Sequence, residues 1–134
     1  MTKSGISPVP ARWQRVVAGL VGLSNLVNGG AMAFASSRWF AAAPGAADTG
    51  PFNVHFVTDV GLGYLASGIG LAIFASTGRH RELAFGATLF VAFHAIFHLI
   101  LLALGHGSPG TDLAIALPAL LALGMVAPRR EVDR

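Results

Sequence analysis

An all-α, four-helix transmembrane bundle with both termini cytoplasmic is the fold this sequence predicts, and three observations carry it. Apolar residues make up 54% of the 134-residue chain and charged residues 11%, with a mean hydropathy of +0.65; all three lie outside the usual range of soluble domains. The apolar residues gather into four runs, most of them near the roughly 20 residues that cross a hydrocarbon core about 30 Å thick. The basic residues fall almost entirely in segments that four crossings place on one side. The length suits one integral-membrane domain covering 1–134.

The first run extends from about Trp13 to Phe34, with Asn25 and Asn28 inside it. A basic start, an apolar run and AMAFAS (Ala31 to Ser36) together have the outline of a signal peptide. Continuation of the run to Phe34 and interruption by the two asparagines favour a retained span. The connection from about Ala35 to Asn53 is long, and the interface preference of aromatic rings assigns Trp39 and Phe40 an anchoring role there. Asn53 is placed to cap the second run, Val54 to Ala75. In that run Gly63 with Ser67, and Ala66 with Gly70, are small-xxx-small pairs that let helices approach closely in lipid. The first run offers Gly19, Gly22, Gly29 and Gly30 as counterparts. Together they predict a compact bundle, with a homodimer face left over. A tight turn through Arg79 to Glu82 leads to the third run, Leu83 to Leu104. The fourth, Leu113 to Ala127, is short at about 22 Å and contains Pro118; Thr111 is placed as its cap, with Asp112 opening the helix.

Of nine Lys and Arg, only Arg38 falls on the second side. Lys3, Arg12, Arg15, Arg79, Arg81, Arg129, Arg130 and Arg134 all fall on the first, which the positive-inside rule makes cytoplasmic. The basic pI of 10.7 does not signal nucleic acid, because the basic residues form neither a stripe nor an aromatic-interleaved patch. With no cysteine, disulfides, thiolate zinc sites and thiol redox chemistry are excluded.

Ionisable side chains within spans are costly and face a protein interior, a partner or water. His55 and Asp59 lie one helical turn apart in the second run, and His94 and His98 one turn apart in the third. At 1.5 Å per residue, Asp59 lies roughly 6–8 Å below the outer interface, His98 about 9 Å and His94 about 15 Å. Asn28 falls near 9 Å and Asn25 near 13 Å on the same scale, with His55 at the entrance. Residues four apart share a helix face, so the expected site joins Asp59 to His98 or His94, with the asparagine amides satisfying the remaining groups.

Three kinds of chemistry suit such a cluster. One is a polar core that fixes helix register, in keeping with a structural subunit of a larger membrane complex. A second is a cofactor site: His55, Asp59, His94 and His98 are a nitrogen/oxygen set for a transition metal, and His55 facing His98 is a haem geometry. A quinone-like ligand belongs to the same class, held by an accessory or redox-linked protein. The third is proton-coupled transport of small solutes, through exchange between Asp59 and a histidine. The HxxxH motif lacks the glutamate of a metalloprotease, and no reaction is assigned by the sequence.

Arg38-Trp39-Phe40 and the stretch TGPFNVHFVTDVGLGYL (Thr49 to Leu65) resemble small four-helix bacterial membrane proteins of the DoxX-like group. The resemblance covers the first two spans and their connection; the third span agrees only in having histidines. It implies a bacterial inner-membrane protein with four helices, and it places no established catalytic residue on this chain. Some DoxX-like members are similar to subunits of quinone-linked oxidoreductases, which implies a redox partner.

Overall fold

The computed structural model describes residues 10–127; Met1, Lys3, Arg129, Arg130 and Arg134, which enter the processing and orientation expectations, lie outside them. In chain order the helices are α1 (Arg12–Phe34), α2 (Ser36–Ala42), α3 (Val54–Thr77), α4 (Arg81–Ala103) and α5 (Pro109–Val126), with a single 3₁₀ turn at Ala47–Thr49. All regular structure among the described residues is helical. Helices α1, α3, α4 and α5 are each long and apolar enough to cross a membrane, so the chain is a multi-pass membrane protein built as a four-helix bundle.

The boundaries follow local chemistry. Asn53 caps α3 as expected, its Oδ1 accepting from Phe56 N at 3.2 Å. Helix α5 begins earlier than the hydropathy suggests. Pro109 takes the first helical position, where its missing N–H costs nothing, and Ser108 is the N-cap residue. Thr111 is therefore inside the helix rather than its cap, and the 18 residues of α5 span about 27 Å. Pro118 is contained within α5 without ending it. Helix α4 starts at Arg81, after His80 in a left-handed conformation at φ 59°; the Arg81 side chain is drawn inward, its Nη1 donating to Met125 O at 2.7 Å and its guanidinium lying 5.1 Å from the centre of the Phe74 ring.

The bundle runs up-down-up-down. Arg15 donates to Ala75 O and Ser76 O at 2.8 and 2.7 Å, tying the start of α1 to the end of α3, while Arg81 ties the start of α4 to the end of α5. Both arginines thus meet C-terminal carbonyls that have no partner in their own helix and carry the negative end of the helix dipole. These contacts define a basic end of the bundle, and the Leu104–Ser108 connection marks the distal end.

Around the bundle α1 packs most extensively on α3, α3 on α4 and α4 on α5, with a smaller contact from α5 back to α1. Toward the basic end all four helices meet in one apolar cluster: Ala18 and Val21, Leu71 and Phe74, Ala84, and Ala122 with Val126. Toward the distal end the core divides. Val91, Ala95, Ala116 and Ala119 pack between α4 and α5, with Tyr64 against them. Met32, Val57 and Val60 pack beneath α2, against Trp39 and Phe40.

Glycines set the α1–α3 distance with a seven-residue spacing rather than the four-residue spacing expected. A Cβ on Gly29 would lie 2.6 Å from Gly61 O, and one on Gly61 would lie 3.0 Å from Gly29 O. A Cβ on Gly68 would lie 2.9 Å from Gly22 O. Gly63 and Gly70 instead admit Phe90 and Ala87 of α4, and Ala66 is exposed. Gly29→Ala is expected to lower stability by about 1–3 kcal/mol, the usual cost of overpacking. Gly30→Ala meets no neighbouring atom within 4 Å and is expected to be neutral or to stabilise by up to about 1 kcal/mol, since glycine is a poor helix former. Denaturation of the detergent-solubilised variants, followed by circular dichroism, checks the contrast.

Candidate functional site: a histidine–aspartate pair between three helices

Short connections make α4 and α5 antiparallel neighbours, and this brings the last turns of α4 beside the first turn of α5. There His98 Nδ1 and Asp112 Oδ1 lie 2.7 Å apart. Asp112 is buried, at 4% exposure. A carboxylate only accepts hydrogen bonds, so with Asp112 ionised Nδ1–H is the donor and Nε2 is left for another partner. Asp112 Oδ2 is buried without a hydrogen-bond partner and occupies the space that a Cβ on residue 107 would need, which glycine leaves open.

One turn deeper on α4, His94 meets His98 edge to face, with ring centres 4.7 Å apart. Tyr64 of α3 stands edge-on to His94 at 6.0 Å, and the Phe90 ring runs parallel to it at 6.4 Å. The result is a continuous line of polar side chains, Asp112, His98, His94 and Tyr64, running from near the distal end to about mid-depth. Neither His94 nor the Tyr64 hydroxyl has a hydrogen-bond partner among the described residues. His94 is half-buried, and Phe90, Phe93 and Phe97 beside it are exposed on the outside of α4.

The sequence-predicted residues separate into three places. His94 and His98 come together as expected. Asp59, expected to join them, is exposed on α3, as is His55, and neither forms a hydrogen bond or ion pair with a described residue. Gly61 faces α1 and Asp59 sits about 200° round the helix from it; Asp59 is about 40° from Gly63, which meets Phe90 of α4, so it falls at the edge of the α4 contact and stays exposed. The asparagines serve α1 instead. Asn25 Nδ2 donates to Ser67 Oγ at 3.0 Å within the α1–α3 contact. Asn28 Oδ1 accepts from Trp39 Nε1 at 2.9 Å, so Trp39 is bound down onto α1 rather than simply anchored at an interface. No group of three His, Asp or Glu side chains among the described residues is close enough to hold a metal ion.

Asp112 and Tyr64 are the members of the line that sequence reasoning passed over. The position of Asp112 reads as that of a helix-opening residue, yet its depth gives it away: three residues into α5, about 4–5 Å, it lies within a turn of His98. Tyr64 left no sequence signal beyond being the single tyrosine of the chain.

No protein-family model matches the chain, and neither do curated proteins or solved structures.

Removing one member of a buried pair leaves the other unsatisfied, whereas removing both can be nearly neutral. His98→Leu and Asp112→Leu are each expected to destabilise the bundle by about 1–3 kcal/mol, and the double variant by clearly less than their sum. A double-mutant cycle on denaturation in detergent measures this coupling.

Proposed function

We propose that this is a plasma-membrane protein with a cytoplasmic basic end, whose α3–α4–α5 site binds a lipid-soluble, quinone-like ligand through His94. The observation that carries the proposal is the line of polar groups that stops at mid-depth with two unpaired members, His94 and the Tyr64 hydroxyl. Unpaired polar groups at that depth are costly, and a ligand bearing carbonyl or hydroxyl oxygens satisfies them. A ligand dissolved in the bilayer reaches His94 past the exposed Phe90 and Phe97. Behind it, His98 and Asp112 form a hydrogen-bonded pair toward the distal face, with the His94 ring packed edge to face on His98. The likeness of Thr49 to Leu65 to DoxX-like proteins points the same way.

The competing chemistries each lack a part. A metal or haem site draws on His55 and Asp59, which stand apart from the histidine pair. Proton-coupled transport needs a polar path through both halves of the bundle, and the basic half is filled by Ala18, Leu71, Phe74, Ala122 and Val126. A structural role accounts for the Asn25–Ser67 and His98–Asp112 bonds but leaves His94 unexplained. The orientation is supported by Arg12, Arg15, Arg79 and Arg81 at the basic end.

Photolabelling with an azidobenzoquinone in proteoliposomes, with labelled peptides identified by mass spectrometry, tests the ligand site. Labelling is expected on α3 near Tyr64 and on α4 near His94, competed by an unlabelled short-chain benzoquinone. It should fall about tenfold in His94→Phe, the loss of one strong hydrogen bond, with helicity unchanged. Uncompeted labelling spread over all lipid-facing helices would contradict the proposal.

A further inference from the structure

Asp59 is an ionisable group turned toward the outside of its own bundle. It lies on a membrane-spanning helix, about 7–8 Å in from Val54 at 1.5 Å per residue, and it is exposed. His55, one turn nearer the distal end on the same face, is also exposed. Neither has a hydrogen bond or ion pair among the described residues. Ionisable side chains within spans pair with one another or face an interior or water, so this face calls for a partner.

The rest of the face has the pattern of a helix seam. His55, Asp59, Leu62, Ala66 and Ile69 follow one another at alternating spacings of four and three residues, and all are exposed. That average spacing of about 3.5 residues is the repeat by which two helices stay in contact side by side. Ala66 at its centre is small enough for close approach. Helices α1 and α4 cover the other faces of α3, through Gly61 and Gly68 on one side and Gly63 and Gly70 on the other.

We infer that two copies of this chain associate through α3, about a two-fold axis along the membrane normal, with His55 of each copy hydrogen-bonded to the partner's Asp59. A two-fold interface is self-complementary: whatever residue i meets on the partner, that residue's equivalent meets i in return. An imidazole and a carboxylate one turn apart on a parallel helix pair meet that condition, each copy supplying one donor and one acceptor. A different membrane protein would have to carry a matching acid and base at the same depth, whereas a second copy carries both. This interface adjoins the α4 side of α3, where the ligand site lies, and cross-linking reports on it without any ligand.

The absence of cysteine allows single-cysteine reporters in proteoliposomes at low protein density. Ala66→Cys lies on the seam; Phe93→Cys, on α4 and 65% exposed, is off it. Oxidation is expected to cross-link the A66C protein into a dimer and to leave the F93C protein monomeric. In the A66C background, His55→Asp alone and Asp59→His alone should each cut cross-linking about tenfold, the loss of an interhelical polar bond. The double exchange, His55→Asp with Asp59→His, should restore it, with circular dichroism confirming that every variant is folded. Equal cross-linking at the two positions, none at Ala66, or a double exchange no better than the single ones would overturn the inference.

Discussion

Gly22 against Gly68 and Gly29 against Gly61 bring the backbones of α1 and α3 together with no side chain between them, and this contact fixes the rotation of α3 within the bundle. Once Gly61 and Gly68 face α1, the rest of α3 follows from 100° steps. Gly63, Ser67 and Gly70 turn toward the bundle, Gly63 and Gly70 receiving Phe90 and Ala87 of α4. Tyr64 reaches the boundary between the α1 and α4 faces, where it touches both distal parts of the core. His55 and Asp59 turn outward. The close backbone contact thus leaves His55 and Asp59 outside the surface that α1 covers, with Asp59 at the edge of the α4 contact.

Lipid supplies no hydrogen bonds, so polar groups inside a span need partners within the protein. Three pairs here meet that need: Asn25 with Ser67, Asn28 with Trp39, His98 with Asp112. Each bond also locks a packing choice, holding α1 on α3, α2 on α1, and α4 on α5. The basic half of the bundle needs no such bonds in its interior, because an apolar cluster joins all four helices there and arginines close the helix ends. Function is accordingly sought in the distal half, where the line from Asp112 ends at His94 and Tyr64 with hydrogen-bonding capacity unused.

The spans were legible from hydropathy because an apolar run of membrane length has few other uses; their edges were not. Helix α4 begins two residues before its apolar run, at Arg81 after the left-handed His80, and the Arg81 guanidinium then reaches Met125 O across the bundle. Pro109 extends α5 by four residues beyond the apolar run that begins at Leu113. The connection after α1 reads as a loop, yet Ser36–Ala42 is helical, held down by Trp39 bonding to Asn28. At the site, depth arithmetic found His94 and His98 but chose the wrong acid for them. Asp59 and Asp112 both lie within a few ångströms of the depth of His98, and depth alone does not say which helix faces it. Phase and the reach of the α4 contact decide, and the phase of α3 is set by glycines spaced seven residues apart rather than four.

Solid-state ¹⁵N NMR of histidine-labelled protein in lipid bilayers tests the centre of this account, the hydrogen bond from His98 Nδ1–H to Asp112 Oδ1. The account predicts a His98 ring protonated at Nδ1, with the shift of a strong hydrogen bond, and loss of that signature in Asp112→Asn. A His98 ring bearing its proton at Nε2 alone, unchanged by Asp112→Asn, would contradict it.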